Sequence, residues 1–599
     1  MCKVLSCVLV LCVLAIPAYG EFSALERSST SGNIINDVSS AYYLAQDGTA
    51  LTEASIASFP TEGYSKTGLT ADGNTRLILR YQASSAGSVT FSLSASMQGL
   101  QLETLDRQAV TSPVRTTQIG NVHQASVVLT APETWPSGMT YPKDTFTITA
   151  AFAPDAGETT TEALTLTLQA SPVVLIHGIF TNNATTFGYD DPQNTSGIWH
   201  KLDNAGLEII SWNYDPAKGP KAVIANKNNP LAKTLTDAFD ALNAKGIAST
   251  RADIVAHSQG GLMARQFLRN DFDTGNKSDL SYKQGMIRRV ITIGTPNTGS
   301  PMASYLSGNF SSIGESWNNW QPRVVWENLS VLLQYFVYQK YNAREAMADM
   351  SNNSAYLSQL GYPEVPFHTI YGKVANDNDI IDNLVDDIMN GNIVGLNKLT
   401  WLPQQFVDMI TSSNGAMVAE AMRQVSDDIR IKELLGAMFG SEDHDLCVSE
   451  KSAVDIFPEN ARTAFEGLVA HNHAVICKQD DVASRVLELL KGGTENFMIA
   501  SGLSTAQYDR AFDEYVSSFR ASEEDYLSGF MDESLSLSAS DPETEYLGED
   551  DDKPSIQSVN ISGASTQGFS DDVYVVFWYG DGTAKFFRFE GNNDLSFDK

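Results

Sequence analysis

Residues 252–268 read "ADIVAHSQGGLMARQFL", and this stretch decides the fold. A short apolar run leads to Ser258 and is followed by a helical pattern, which predicts a buried strand, a tight turn at the serine and a helix. A turn of this kind strains the backbone at the serine and requires small neighbours. The predicted nucleophile elbow consists of Ala256, His257, Ser258, Gly260 and Gly261. Ala256 stands where glycine is usual, and the alternative is that Ser258 only caps the helix while the glycines aid packing.

A second motif, "PVVLIHGIF" at residues 172–180, predicts the groups that stabilise a reaction intermediate. Its strand ends at His177 and Gly178, so we expect the backbone N–H of Ile179 beside the serine. Together with the N–H of Gln259 it would form an oxyanion hole, in which two donors bind the developing negative charge. The structural reading of His177 is a histidine that hydrogen-bonds to loop backbone.

Apolar strands alternate with amphipathic helices on both sides of these motifs. The strands are the runs "PVVLIHG", "LEIISWNYD", "ADIVAHS", "IRRVITIGTP" and "PFHTIYGKV". Apolar strands that alternate with helices are typical of a parallel sheet covered by helices on both faces. We therefore predict an α/β catalytic domain at residues 169–492, with helical insertions at residues 298–362 and 374–438.

The flanking regions have other patterns. Residues 21–168 carry short alternating runs such as "TRLILRYQAS" and "DTFTITAAF", which predict an antiparallel, immunoglobulin-like β-sandwich. Residues 493–554 are predicted to form an acidic helical segment and linker, and residues 555–599 a small β-rich tail. If either β module binds a ligand, we expect that ligand to be a surface or a polymer.

The charge balance argues against whole classes of partner. The chain of 599 residues carries 40 Lys and Arg against 72 Asp and Glu, a formal net charge of −32. Such a chain is repelled by nucleic acid and by anionic membrane surfaces. Its length exceeds what one hydrophobic core usually organises, so we expect at least two domains.

Residues 1–20 predict an export signal. They contain one lysine, an apolar run and the small residues Ala18 and Gly20, which fit cleavage after Gly20. We expect a protein exported to the extracellular space or the periplasm. No later stretch has the length of a transmembrane helix, so we expect no membrane anchor.

Cleavage after residue 20 would leave Cys447 and Cys477 as the only cysteines. An even pair in an exported chain predicts a disulfide. The alternative is two buried free thiols.

Three motifs together resemble the α/β-hydrolase lipases and esterases in order and spacing. They are "PVVLIHG", "AHSQGG" and "ITIGTPNTGSPMA", and the resemblance covers about residues 170–490. It implies a serine hydrolase in which an acid and then a histidine follow the nucleophile along the chain. It also implies that the inserted helices form a lid over the serine, which would favour long acyl chains at an interface. The alternative is cap helices that pack on a core of their own.

The resemblance implies Asp445 as the acid, because "HDLCVSEKSA" at residues 444–453 looks like the family's acid loop. Asp443 is the runner-up. Within "LVAHNHAVICKQDDVASRVLELL", the base is His473, since a short apolar step and a final helix follow it, and His471 is the runner-up.

In this arrangement His473 takes the proton of Ser258, and Asp445 orients the imidazole and stabilises its charged form. A disulfide between Cys447 and Cys477 would then tie the acid loop to the base loop.

The aspartate-rich run "NDNDIIDNLVDD" at residues 376–387 is the remaining candidate site. Some lipases bind calcium near this region, which makes Asp377 and Asp379 candidate ligands. The run lacks the glycine and the spacing of an EF-hand loop, so a solvated acidic face is favoured and no cofactor is expected.

The expected function is that of a secreted serine carboxylic ester hydrolase, lipase-like, whose partner is a lipid or another acyl ester. A lipid acyltransferase, which shares the nucleophile motif, and a short-chain esterase are the alternatives. From a different class, the chain could be an adhesion or binding protein with a vestigial hydrolase domain. The presence of serine, oxyanion loop, acid and base together argues against the last reading.

Overall fold

The computed structural model divides the chain into two compact units, Met1–Tyr508 and Asp509–Lys599. The residues that it describes are 20–26, 41–44, 49–59, 64–94, 99–179, 181–189, 195–216, 218–224, 230–268, 285–307, 343–352, 354–360, 365–373, 439, 442–455, 457–467, 471–499, 572–578 and 584–590. Within these ranges, no helix combines the length and the apolar character that crossing a membrane requires.

Three predicted features fall wholly or mostly outside the described residues. They are the signal peptide, the acidic linker and the larger part of the two helical insertions, including the lid and the calcium candidates Asp377 and Asp379.

The first part of the larger unit is built from strands. Its described elements are β1 Glu21–Leu25, α1 Glu53–Ala57, β2 Gly68–Ala71, β3 Arg76–Ala83, β4 Gly87–Leu93, β5 Gln101–Glu103, β6 Val114–Arg115, β7 Thr117–Ile119, β8 Val122–Thr130, β9 Lys143–Pro154 and β10 Thr160–Ala170. One sheet has the order β1-β3-β8-β5, with β7 also paired to β8, and all of its pairs are antiparallel. A second sheet includes the order β2-β10-β9-β4-β6.

The second part of the larger unit alternates strands and helices. Its elements are β11 Val173–Ile176, α2 Asn183–Phe187, α3 Ile198–Asn204, β12 Ile209–Trp212, α4 Pro220–Ile224, α5 Pro230–Ala244, β13 Ile247–Ala248, β14 Ala252–His257, α6 Gln259–Leu268, β15 Ile287–Ile293, α7 Pro301–Leu306, α8 Arg344–Met350, α9 Ala355–Leu360, β16 Phe367–Lys373, α10 Glu450–Val454, β17 Arg462–Glu466 and α11 Asp480–Lys491. Six strands form a sheet in the order β12-β11-β14-β15-β16-β17, and every pair in it is parallel. The predicted parallel sheet is confirmed.

Alternation along the central strands explains why they are apolar throughout. Side chains at successive positions face opposite sides of a sheet, so a strand covered on both sides must be apolar at every position. One side packs with α3, α11 and the first part of the unit, through Val173, Leu175, Val255 and Ile291. The other side packs with α5 and α6, through Val174, Ile176, Ile254 and Ala256.

The two parts of the larger unit share a sheet and a core. Strand β13 pairs in parallel with β2, and β2 pairs in parallel with β10, so a strand of the second part extends a sheet of the first. The predicted sandwich is therefore not purely antiparallel, and the predicted boundary at residue 168 lies inside β10. A two-residue strand such as β13 has no periodicity that the sequence could reveal.

Buried charges join the same two parts. Arg288 on β15 donates from Nη1 to the carbonyl oxygens of Ala71 and Glu133, both 3.0 Å away, and its Nε lies 2.8 Å from Oδ1 of Asp253. Asp72 accepts hydrogen bonds from the backbone of Thr250 and Arg251. Because buried charges must be paired, these contacts hold the first part of the unit in a defined position on the parallel sheet.

The smaller unit is described only as a two-stranded antiparallel sheet. It consists of β18 Asp572–Trp578 and β19 Ala584–Glu590. The predicted turn at Gly580, Asp581 and Gly582 lies outside the described residues.

Candidate active site

Ser258 lies on the turn between β14 and α6 with a φ of 54°, in the left-handed region. A non-glycine residue adopts this conformation only where its surroundings hold it. Here the N–H of Ser258 donates to the carbonyl oxygen of Ile293 at 2.9 Å. Its own carbonyl oxygen accepts from the N–H of Gly261 and from the hydroxyl of Thr295, both at 3.0 Å. The strained serine is thus fixed from both ends of its backbone.

The small neighbours of the serine are required by close backbone contacts. A Cβ atom on Gly260 would lie 2.5 Å from the carbonyl oxygen of Ile176, and one on Gly178 would lie 2.8 Å from Cβ of Ser258. Neither position has room for a larger residue. Ala256, the departure from the usual glycine, is fully buried among the apolar residues that α5 and α6 cover.

The imidazole of His473 contacts both Ser258 and Asp445. Its Nε2 lies 2.8 Å from Oγ of Ser258, and its Nδ1 lies 2.7 Å from Oδ2 of Asp445. A carboxylate can only accept, so the proton of the neutral ring is on Nδ1 and Nε2 is free to accept the serine proton. This is the arrangement by which a base activates a hydroxyl nucleophile.

The carboxyl group of Asp445 is buried and fully bonded. Its Oδ1 accepts from the backbone N–H groups of Cys447 at 3.0 Å and Val448 at 2.7 Å. The loop turns sharply because Leu446 has a φ of 82°. A buried carboxylate with these donors keeps a fixed orientation toward the imidazole.

The backbone of His473 is held as well. Its N–H donates to the carbonyl oxygen of Asp445 at 2.9 Å, and its carbonyl oxygen lies 2.8 Å from Nε2 of His257. Burial, and after it the neighbouring His473, lowers the pKa of His257 to about 3. His257 is therefore neutral and donates from Nε2 to this carbonyl.

The predicted oxyanion donors flank the serine. Gln259 is the first residue of α6, where backbone N–H groups have no partner within the helix and the helix dipole favours negative charge. Ile179 follows Gly178, the glycine that lies directly against Ser258. Its side chain packs with an apolar cluster of α6 to α9 that includes Leu262 and Met347.

His177 has the backbone contact that was expected of it. Its Nδ1 lies 2.8 Å from the carbonyl oxygen of Gly178, and burial lowers the pKa of the ring. The ring stacks on Tyr214, with 4.3 Å between the ring centroids.

The sequence did not single out Tyr214 or Thr295, although both contact the site. Thr295 lies within the quoted motif "ITIGTPNTGSPMA", and Tyr214 follows the end of β12. Neighbouring parallel strands end at the same edge of a sheet, so polar residues just beyond their ends were the available signal.

The runner-up residues have other partners. Asp443 lies 3.4 Å from Nζ of Lys373, and Nε2 of His471 lies 2.8 Å from Oδ2 of Asp481. His444 stacks on Phe439 with 4.1 Å between the ring centroids. The part of the chain that the structure describes contains no group of three His, Cys, Asp or Glu side chains arranged to hold a metal ion.

The predicted disulfide is wrong, because Cys447 and Cys477 are free thiols. Cys447 packs with the small cluster of Tyr371, Val448, Ala453 and Val454, whereas Cys477 belongs to the main core. Burial raises the pKa of both thiols, which disfavours the reactive thiolate. Each cysteine is near a predicted catalytic residue in sequence, but their side chains enter different apolar clusters. The alternative of two free thiols describes the structure, with Cys477 buried and Cys447 half-buried.

The parallel sheet with a serine on the turn between β14 and α6 is an α/β-hydrolase-like fold. A family model described as "Domain of unknown function (DUF7379)" matches residues 143–491. No curated protein shows significant similarity to the chain.

Among solved structures, the chain is similar to phospholipase PlaB from Legionella pneumophila, at 12% identity and a TM-score of 0.30 over 60% of this chain and 64% of that one. A second PlaB structure matches over 39% of its length, so the chain spans less than two thirds of these relatives. An esterase from Pyrobaculum calidifontis is similar at 12% identity and a TM-score of 0.24, over 59% of this chain and 83% of that one. At these values the likeness assigns no reaction to this chain.

Proposed function

Because the chain belongs to the family described as "Domain of unknown function (DUF7379)", whose description names no reaction, we propose its function from its own site. We propose a serine carboxylic ester hydrolase that forms an acyl-enzyme on Ser258. The observation that carries the proposal is the position of His473, with Nε2 2.8 Å from Oγ of Ser258 and Nδ1 2.7 Å from Asp445.

The reaction begins when Oγ of Ser258 attacks the ester carbonyl carbon and His473 accepts the serine proton on Nε2. The carbonyl oxygen takes up the negative charge and is bound by the N–H groups of Ile179 and Gln259. Asp445 stabilises the imidazolium that has formed. When the intermediate collapses, the bond to the alkoxy group breaks and His473 returns the proton to the leaving alcohol.

A water molecule completes the cycle. His473 takes one of its protons, the hydroxide adds to the acyl carbon, and collapse of the second intermediate breaks the bond to Oγ of Ser258. The proton returns to the serine, and the carboxylic acid leaves. If an alcohol attacked in place of water, the product would be a new ester.

The substrate is a lipid or another acyl ester with an apolar chain. Ile179, which carries one oxyanion donor, packs its side chain against the apolar residues of α6 to α9, and this supports an apolar wall beside the reacting carbon. We further propose export through a signal peptide at residues 1–20. Cleavage after Gly20 would leave β1, which begins at Glu21, intact.

The test is hydrolysis of p-nitrophenyl esters from short to long acyl chains, by the wild type and by Ser258→Ala. We expect the variant to lose at least about 10⁴-fold in kcat. Ser126→Ala is the matched control, because it removes a buried serine hydroxyl from β8 in the first part of the unit. Inactivity of the wild type on every chain length, or full activity of Ser258→Ala, would overturn the proposal. Product analysis with added alcohol separates a hydrolase from an acyltransferase.

A further inference from the structure

We propose that Tyr214 is a positioning residue that holds the two sides of the oxyanion hole in place, an inference that rests on the ester hydrolysis proposed above. Tyr214 lies two residues beyond the end of β12, the strand that pairs with β11. Ile176 at the end of β11 is paired with Trp212 at the end of β12. The loops that follow these strands, with His177 and Tyr214, therefore begin side by side.

The hydroxyl group of Tyr214 bridges the two segments that carry the oxyanion donors. It lies 2.8 Å from the carbonyl oxygen of His177 and 3.0 Å from Oε1 of Gln259. A phenol has a single proton, so the two oxygens share it in a three-centre hydrogen bond. His177 precedes the Gly178–Ile179 peptide, and Gln259 is itself the second donor residue.

Gln259 is fixed on its other side as well. Its Nε2 donates to the carbonyl oxygen of Lys218 at 3.1 Å, and its side chain is fully buried. The amide of Gln259 thus connects the first turn of α6 to Tyr214 and to the loop that contains Lys218. A buried amide with both ends bonded resists displacement of the helix terminus.

The ring and backbone of Tyr214 hold His177 from two more directions. The two rings stack with an interplanar angle of 6°, and the N–H of Tyr214 donates to Nε2 of His177 at 3.4 Å. Since Nε2 accepts this hydrogen bond, the proton of the neutral imidazole is on Nδ1, which donates to the carbonyl oxygen of Gly178.

This tautomer of His177 fixes the direction of one predicted oxyanion donor, the N–H of Ile179. The carbonyl oxygen of Gly178 also accepts from the hydroxyl of Thr181 at 3.0 Å, so its direction is set by two hydrogen bonds. In a planar trans peptide, the C=O of Gly178 and the N–H of Ile179 point in opposite directions. The N–H of Ile179 therefore points away from the ring of His177 and does not hydrogen-bond to it.

Removing only the hydroxyl of Tyr214 should loosen this alignment. Both the carbonyl oxygen of His177 and Oε1 of Gln259 would lose their shared donor. Oxyanion donors stabilise a transition state only when they are held in place before the charge develops. The donors bind the carbonyl oxygen of the ground-state ester more weakly than the oxyanion of the transition state. Removing the hydroxyl of Tyr214 should therefore lower kcat and leave KM nearly unchanged.

The experiment compares wild type, Tyr214→Phe and Tyr43→Phe. Tyr43 is a buried tyrosine whose hydroxyl donates to Glu103 in the first part of the unit, so it controls for the loss of a buried hydroxyl. The measured quantities are kcat, KM, the unfolding temperature and the dissociation constant of n-butylboronic acid, followed by tryptophan fluorescence. The boronic acid forms a bond between boron and Oγ of Ser258, the serine proton passes to His473, and the adduct mimics the tetrahedral intermediate.

We expect Tyr214→Phe to lower kcat by about 10- to 100-fold, with KM changed by less than about threefold. Its boronic acid affinity should fall by a similar factor to kcat, and Tyr43→Phe should keep wild-type kcat and affinity. Wild-type kcat and affinity in Tyr214→Phe would overturn the inference, whatever its unfolding temperature. A wild type that binds the boronic acid but cleaves no ester would overturn the proposed function alone, and weaker binding by Tyr214→Phe would still support the inference. A wild type without either property would overturn both.

Discussion

Nε2 of His257 donates a hydrogen bond to the carbonyl oxygen of His473 at 2.8 Å, and the two imidazole rings lie 4.8 Å apart. The residue before the elbow serine thus holds the backbone of the residue whose ring meets that serine. Because burial keeps His257 neutral, it fixes His473 without placing a second positive charge beside it.

We therefore expect His257→Leu to lower kcat by about 10-fold or more, since it leaves the carbonyl oxygen of His473 without this donor and small misplacements of a catalytic group are costly. His257→Gln can still donate from its amide and should recover most of the rate. The measurement is kcat and KM for a p-nitrophenyl ester with both variants. Equal rates for His257→Leu and wild type would contradict the prediction, as would equal rates for the two variants.

Thr295 supports the strained backbone of Ser258 by donating its hydroxyl to the serine carbonyl oxygen at 3.0 Å. Thr295→Val keeps the shape and removes this donor. We expect a loss of about 1 kcal/mol in the free energy of unfolding and a several-fold lower kcat, because the left-handed serine persists only while its surroundings hold it. Denaturant unfolding and ester kinetics measure the two effects. Thr292→Val is the control, since it alters a buried threonine on β15 whose hydroxyl makes a longer hydrogen bond, 3.4 Å to the carbonyl oxygen of His368.

The first part of the larger unit should not be dispensable for folding. A chain that begins at residue 169 would lose the strand partner of β13 and the carbonyl oxygens of Ala71 and Glu133 that Arg288 binds. Burying an arginine whose partners are incomplete costs several kcal/mol, so we expect this truncated chain to be insoluble or unfolded.

Calorimetry of the full chain checks the same contacts, and we expect residues 20–499 to unfold in one cooperative transition. A chain that ends at Tyr508, where the larger unit ends, is the control, because it keeps every contact named here. Separate transitions for the two parts, or a folded and active chain from residue 169 onward, would contradict the prediction.

The residues that the sequence singled out and those that it missed differ in how local their signals are. Short motifs of neighbouring residues identify Ser258, Asp445 and His473. Tyr214 lies just beyond the end of β12, which indicates the edge of the sheet but not its partner Gln259, 45 positions further along the chain.

The two predictions that the structure corrects, a purely antiparallel sandwich and a disulfide, concern contacts between segments that are distant in sequence. The parallel pairing of β13 with β2 joins segments about 180 residues apart through a two-residue strand, which has no period to detect. The disulfide prediction used the number of cysteines that an exported chain would keep, the pair Cys447 and Cys477. That count does not determine which core a side chain enters, and here the cores differ.

His368 makes the stability of the fold depend on pH. It is fully buried on β16, with Nδ1 2.5 Å from the carbonyl oxygen of Asn496 and Nε2 2.9 Å from the hydroxyl of Thr463. Burial lowers its pKa from 6.5 to about 4. As the pH falls below 6.5, His368 binds a proton in the unfolded chain, whereas in the folded chain it binds one only when the pH nears 4. The stability from this group is therefore complete above pH 6.5 and is lost between pH 6.5 and 4, by about 3 kcal/mol.

His368→Asn should flatten that pH dependence, because asparagine can still donate to Asn496 but does not titrate. The free energy of unfolding, measured by denaturant titration at intervals from pH 8 to pH 4, checks this. We expect the variant to be less stable at pH 8, where it lacks the ring's second contact with Thr463, and the difference from wild type to shrink as the pH falls to 4. Curves that stay parallel across this range would mean that His368 does not cause the acid sensitivity. His257, whose pKa is lowered to about 3, titrates in the same direction and is present in both proteins, so it does not alter the difference.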